Sequence, residues 1–118
     1  MAEKRRIDRL EQQLKSEIGA LVESVLDDPR IGMVTVTAVR LSKDLRYARV
    51  YVSAIGKHER PADALAGLGS ARGFLRRQLS QRLPHLKRTP ELTFSYDESV
   101  EKGMRVEELI EKIHSFQR

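Results

Sequence analysis

Two neighbouring segments of the chain have the composition of β-strands, and their spacing constrains the fold more than any other feature. Residues 33–41 are rich in Val and Thr, and residues 47–54 alternate strictly between small or branched side chains and polar or aromatic ones. The connection Ser42-Lys43-Asp44-Leu45 is short, and connections of this length join antiparallel strands. The two segments therefore predict a β-hairpin.

The alternation in the second strand predicts which of its side chains face the core. We expect the small and branched set to pack against helices: Ala48, Val50, Val52 and Ala54. The opposite set is Tyr47, Arg49, Tyr51 and Ser53. This second set predicts either the solvated side of the sheet or an open sheet face that meets a partner.

Helical periodicity occurs on both sides of the predicted hairpin. Apolar residues at steps of three and four predict a first helix over residues 4–26, which should end at Asp28 because a residue before proline is disfavoured in helical geometry. Between Pro61 and Pro84, three glycines fall within seven residues, and each would cost about 1 kcal/mol inside one continuous helix. We therefore predict two helices that meet at a kink near residues 70–73.

The last part of the chain completes the predicted element order. Residues 91–97 alternate again and predict a third strand, and an apolar stripe over residues 106–116 predicts a final helix. The order helix, strand, strand, helix, kink, helix, strand, helix predicts an α+β fold with a three-stranded sheet and helices on one face. At 118 residues, the chain is predicted to form a single domain over residues 1–118.

Positive charge is concentrated in residues 71–90, which contain six basic and no acidic residues and so carry +6, against +5 for the whole chain. Residues 91–111 sum to −5, so the chain is predicted to offer one face to a polyanion such as RNA. The candidate RNA-binding residues of the basic stretch are Arg72, Arg76, Arg77, Arg82, Lys87 and Arg88. A second basic cluster in the first helix adds Lys4, Arg5, Arg6 and Arg9. For both clusters the alternative is an ordinary solvated helix surface.

The kink predicted at Ala71 and Gly73 offers a place for one phosphate. Backbone N–H groups at the start of a helix lack intrahelical partners, and the helix dipole favours an anion there. Arg72 lies inside this junction. We expect a β-branched residue at Gly73 to disturb both the kink and RNA binding. Charge reversal at Arg76 and Arg77 is expected to abolish binding while the fold stays intact.

Five motifs follow one another along nearly the whole chain: Asp28-Pro29-Arg30 followed by residues 34–39, then residues 45–53, 73–79, 88–94 and 96–99. No single motif is specific, but the ordered set resembles the ribosome-binding factor A family of bacterial small-subunit assembly factors. The resemblance implies a type II KH-like fold in which Ala71-Arg72-Gly73 replaces the usual Gly-x-x-Gly loop. Because the first glycine of that loop is missing, recognition of rRNA shape is favoured over clamping of a four-nucleotide strand.

The same resemblance implies a function. A member of this family binds the free or immature 30S ribosomal subunit and assists late maturation of 16S rRNA, including its 5′ end. The family is also associated with growth in the cold, and it is not enzymatic. We therefore expect the 30S subunit and its 16S rRNA as partners, with assembly GTPases as further candidates. We also expect a soluble, cytoplasmic monomer with no membrane contact, no cofactor and no metal.

Other classes of function compete with RNA binding. An enzyme is disfavoured because the chain has no cysteine, its three histidines are widely spaced, and no nucleotide-binding or hydrolase motif is present. A membrane span is disfavoured because the longest uncharged run, residues 31–39, is far shorter than the roughly 20 apolar residues required. The alternative that remains is a protein-only adaptor, which would dock through the acidic C-terminal end or the open sheet face.

Overall fold

The structure is a computed structural model that describes residues 2–24, 29, 31, 34–54 and 61–99. Its helices and strands are α1 (Ala2–Ser24), β1 (Val34–Leu41), β2 (Tyr47–Ala54), α2 (Pro61–Ser70), α3 (Arg72–Arg82) and β3 (Glu91–Tyr96). This order confirms the predicted α+β arrangement through the third strand. The predicted final helix lies outside the described residues.

Helix α1 packs one stripe of side chains against β1. Leu14, Ile18 and Leu21 recur at steps of four and three, and all three are fully buried. Glu11 lies one turn before Leu14 and is only 6% exposed. Its Oε2 accepts a hydrogen bond from the N–H of Leu41 at 2.8 Å, and its Oε1 accepts one from the Arg40 guanidinium at 3.1 Å. This carboxylate therefore fastens α1 to the end of β1.

The three strands lie in the order β1–β2–β3, which the sequence patterns do not determine. β1 and β2 form the predicted antiparallel hairpin, with Leu41 opposite Ala48 and a β-bulge between Val36 and Ala38. β3 pairs with β2 in parallel. Parallel neighbours require a long crossover connection, which here contains α2 and α3. As a result, the turn before β2 and the loop before β3 lie at the same end of the sheet.

The two faces of β2 differ less in exposure than the alternation predicts. Ala48, Val50 and Val52 belong to the core, as expected. On the opposite face Tyr47 is 53% exposed, but Tyr51 is only 1% exposed. The expectation of an open sheet face is therefore wrong at Tyr51. Alternation indicates which side of a sheet a residue faces, but it does not indicate whether that side is covered.

The predicted break between the two helices falls at Ala71, which has φ and ψ of −89° and 0°. The Ala71 N–H donates to the carbonyl oxygens of Gly67 and Leu68, both at 3.1 Å. Within the described residues, no side chain caps the start of α3. A Cβ added at Gly73 would meet no atom within 4 Å, and the φ of this residue lies outside the left-handed region. The local geometry therefore leaves room for a Cβ at position 73, while the expected effect of a β-branched residue on the kink and on RNA binding stays a prediction.

Candidate nucleic-acid interface

Helix α3 presents arginines to solvent because Leu75 and Leu79 anchor its other side in the core. Arg72 and Arg77 are both exposed. The Arg72 Nε donates to the carbonyl oxygen of Gly69 at 3.2 Å, so this side chain folds back over the end of α2. Both guanidinium groups are accessible to an anion, although Arg72 already makes one hydrogen bond to the backbone.

Arg76 is half-buried and contacts the loop that follows α3. Its Nη2 donates to the carbonyl oxygen of Thr89 at 3.0 Å, and its buried Nε has no hydrogen-bond partner among the described residues. Since it holds this loop, Arg76 is not a freely solvated cation. Arg76 and the exposed Arg77 are therefore not equivalent, and charge reversal at Arg76 would remove a structural contact that the sequence does not reveal.

Arg82 connects α3 to α1 through an ion pair. Its Nη1 lies 3.1 Å from Oε2 of Glu17, and the two side chains are 39% and 31% exposed. Exposed ion pairs contribute only about 0–1 kcal/mol to stability. A phosphate could therefore compete for Arg82 at little cost to the fold.

The two basic clusters of the sequence meet in a single groove. Arg6 and Arg9 reach it from α1, Lys87 and Arg88 from the loop after α3, and Arg46 from the turn between β1 and β2. We call the surface lined by these five cations the basic groove. Its volume is about 680 Å³, and all five side chains are exposed. Folding thus concentrates positive charge at one place from three separate parts of the chain.

The turn that carries Arg46 is held by a polar network. Oδ1 of Asp44 accepts hydrogen bonds from the Ser42 hydroxyl at 2.6 Å and from the Arg46 N–H at 3.1 Å. The hydrogen bond from Ser42, followed by that from Arg46, lowers the pKa of the Asp44 carboxyl below its usual value. Leu45 adopts a φ of 62°, which is uncommon for a residue other than glycine. The network therefore fixes the backbone on either side of Leu45.

A smaller cavity of about 260 Å³ adjoins the basic groove. Arg46 and Arg88 line both cavities, and Arg76 and Tyr47 also line the smaller one. The N–H of Glu91, another lining residue, donates to the carbonyl oxygen of Arg46 at 2.8 Å. This hydrogen bond ties the turn before β2 to the start of β3.

Folding separates the ten basic residues selected from the sequence into groups. Those that line the basic groove are Arg6, Arg9, Lys87 and Arg88. Those that are exposed outside it are Lys4, Arg5, Arg72, Arg77 and Arg82, while Arg76 lines the smaller cavity. Sequence reasoning missed Arg46 because it selected the denser basic clusters at residues 4–9 and 71–90, although Arg40, Lys43, Arg46 and Arg49 also recur at three-residue steps. That spacing and the motif at residues 45–53 are the sequence signals that could have selected it.

Neither a metal site nor a membrane span is found in the described part of the chain. No group of three or more His, Asp or Glu side chains there could hold a metal ion. Among the helices of the same residues, none has both the length and the apolar composition to cross a bilayer. His85 lies exposed at the basic groove.

Comparison with known proteins gives consistent matches. Residues 6–110 match the model of a family described as ribosome-binding factor A. The chain is similar to the crystal structure of ribosome-binding factor A from Thermus thermophilus, with 37% identity and a TM-score of 0.68 over 76% of this chain and 93% of that one. It is also similar to a Thermus thermophilus homology model fitted into a cryo-EM map of a 30S complex, with 36% identity and a TM-score of 0.63 over 76% and 93% of the two chains. The solution NMR structure of a Thermotoga maritima protein, described as a candidate ribosome-binding factor A, matches with 36% identity and a TM-score of 0.67 over 76% and 85%.

Proposed function

This chain belongs to the ribosome-binding factor A family, and we propose that it binds the free or immature 30S ribosomal subunit. Binding then assists late maturation of 16S rRNA, including processing at the 5′ end. The observation that carries the proposal is the basic groove, in which Arg6 and Arg9 meet Lys87 and Arg88. The Thermus thermophilus relative, whose homology model was fitted into the map of a 30S complex, supports the same partner.

The basic groove acts by neutralising phosphate charge. Each Lys or Arg placed against a phosphate releases condensed counterions, which favours association and makes it depend on salt. Five cations around one cavity supply this effect over a short length of RNA backbone. Phosphate contacts orient a protein on RNA without reading its sequence. The groove therefore recognises the shape of an rRNA segment and holds it in a premature arrangement until the subunit matures.

Basic residues outside the groove extend the proposed contact to neighbouring phosphates. These residues are Lys4, Arg5, Arg72, Arg77 and Arg82. Arg76 acts differently, because it holds the loop that carries Lys87 and Arg88. The uncapped start of α3 after Ala71 supplies a further position where backbone N–H groups favour a phosphate.

We further propose that the protein acts as a non-enzymatic, cytoplasmic monomer formed by one KH-like domain over residues 1–118. No cofactor is needed, because counterion release supplies free energy of association without turnover. Assembly GTPases are further candidate partners. Growth in the cold is the condition in which loss of the protein should matter most, since RNA rearrangements slow as the temperature falls.

Co-sedimentation with purified ribosomal subunits tests the proposed partner. The wild type should bind 30S subunits and not large subunits. The double variant Arg6→Glu/Lys87→Glu should lose binding, because reversed charges repel phosphate. Lys15→Glu/Lys43→Glu changes the net charge equally outside the groove and should retain binding. Equal loss in the two variants, or retention in both, would contradict the proposal.

The role in maturation is tested in cells that lack the protein. We expect 16S precursors with unprocessed 5′ ends to accumulate. The wild type and the Lys15→Glu/Lys43→Glu control should restore processing, and the groove variant should not. Normally processed 5′ ends in the deleted strain would overturn this part of the proposal.

A protein-only adaptor is the alternative function, and it has less support. One surface predicted for it, the open sheet face, is closed at Tyr51 because this residue is buried. The other, the acidic C-terminal end, lies mostly outside the described residues. Salt dependence separates the two functions, since phosphate binding weakens steeply with salt and apolar docking does not.

A further inference from the structure

The basic groove has an apolar lining that phosphate neutralisation does not require. Leu10, Leu45, Leu86 and Pro90 line it together with the five cations. The three leucines are each partly exposed, so apolar surface remains in contact with solvent beside the charges. Phosphate and ribose are polar and would not use this surface. The lining therefore suits a ligand that carries an apolar face next to an anion.

We propose that the basic groove binds one unstacked nucleotide of single-stranded rRNA, with the base against the leucines and the adjoining phosphates against Arg46 and Arg88. This inference rests on the proposed function and adds a base-binding subsite to it. Proteins that recognise RNA bases directly contact mainly the unstacked bases of single-stranded loops and strand ends. This contact accompanies the recognition of rRNA shape by the phosphate contacts.

Charge and size both fit this occupant. Five cations face a single carboxylate among the lining residues, that of Asp44, so the groove selects for an anion. In RNA every base is attached to the charged backbone, whereas an acidic peptide carries its charge and its apolar surface on different residues. The groove volume of about 680 Å³ lies within the roughly 300–1,000 Å³ of ligand pockets.

Hydrogen bonds hold the two sides of the groove in place before any ligand arrives. The Glu91 N–H donates to Arg46 O at 2.8 Å, and the Arg76 guanidinium donates to Thr89 O at 3.0 Å. Leu45 is kept at a φ of 62°, and residues in such sparsely populated conformations cluster at functional sites. A pre-formed site loses less conformational freedom on binding, which favours affinity for a small ligand.

Two RNA probes of equal charge test the proposal: pentameric adenosine ribonucleotide and a pentamer of abasic ribose phosphate. The wild type should bind the probe with bases about fivefold or more tightly, because burying roughly 40 Å² of apolar base surface against the leucines, at about 25 cal/mol per Å², corresponds to this factor. Leu45→Gly removes the apolar side chain at a backbone angle that glycine adopts freely, so the fold should survive and the preference should disappear. Leu45→Met keeps an apolar side chain and should keep the preference.

The possible outcomes separate this inference from the proposed function. Equal affinity for the two probes, or a preference that survives in Leu45→Gly, overturns the base subsite, while co-sedimentation of the wild type with 30S subunits would leave the proposed function standing. Failure of both probes to bind also overturns the subsite, and binding of a Leu-containing acidic peptide would then indicate a protein ligand. If the wild type does not co-sediment with 30S subunits, the proposed function itself fails.

Discussion

The guanidinium group of Arg76 lies 3.0 Å from the carbonyl oxygen of Thr89 and ties α3 to the loop that enters β3. Lys87 and Arg88 lie in this loop and line the basic groove. The position of two cations at the candidate site therefore depends on a third that is half-buried beside them. A residue that pattern alone assigns to phosphate binding is thus also part of the support for the site.

Loss of the hydrogen bond from Arg76 to Thr89 should lower the free energy of unfolding. Arg76→Ala should lower the free energy of unfolding by about 1–3 kcal/mol, because hydrogen bonds from charged donors contribute roughly this amount. Arg77→Ala, at the neighbouring exposed position, should change it by no more than about 0.5 kcal/mol. Urea unfolding of the two variants makes the comparison. Equal effects at the two positions would argue against the assigned contact.

Glu11 should matter more to the fold than any exposed acidic residue of α1. Glu11→Ala leaves the Leu41 N–H and the Arg40 guanidinium without their acceptor, which should cost about 2–3 kcal/mol. The control is Glu17→Gln, which breaks only the exposed pair with Arg82 and should cost less than about 1 kcal/mol. Chemical denaturation gives both values, and a tolerated Glu11→Ala would remove Glu11 as the link between α1 and β1.

Gly73→Ala should stabilise the protein. Position 73 lies in the first turn of α3 with open space around it, so alanine gains helix propensity without a clash. The expected increase in the free energy of unfolding is about 0.5–1 kcal/mol. Thermal and urea unfolding test it. A less stable variant would mean that the break at Ala71 does depend on glycine at position 73, as the sequence suggests.

Asp44 should make the stability of the turn depend on pH. Its pKa is lowered from the usual 3.8, first by the hydrogen bond from Ser42 and then by that from Arg46. A carboxyl with a lowered folded pKa contributes stability above its unfolded pKa and loses it as the pH falls through the folded pKa. Asp44→Asn should therefore be less stable than the wild type near neutral pH, and the difference should shrink in strong acid. A difference that is constant from neutral to acidic pH would contradict this role.

Local sequence patterns were sufficient for most of the fold. Period-two alternation located β2 and β3, three- and four-residue steps located α1, and closely spaced glycines located the break at Ala71. These signals depend on neighbours along the chain, so they can be read without a structure. The strand order could not be predicted, because both the hairpin and the crossover are compatible with more than one arrangement of a three-stranded sheet.

The sequence predicted four of the five cations of the basic groove, but it did not predict the groove itself, because the groove depends on contacts between distant parts of the chain. Arg6 and Arg88 were selected for the charge around them, but nothing in the sequence says that they share a groove. Arg46 was missed because it lies outside the two denser basic clusters, although Lys43 and Arg49 lie three residues to either side of it. The hydrogen bond from Arg76 to Thr89 and the burial of Tyr51 could not be predicted either, because they depend on tertiary packing and not on a local sequence pattern.

The dependence of 30S binding on salt tests the central claim most directly. The variant Arg46→Gln/Arg88→Gln removes two cations from the groove, and Lys15→Gln/Lys43→Gln removes two from outside it. If the groove binds phosphates, the first variant should lower the slope of log K against log salt by roughly 2, because each lost contact removes about one unit. The second should leave the slope unchanged. Equal slopes for the two variants would contradict the account, since charge would then act without regard to its place in the fold.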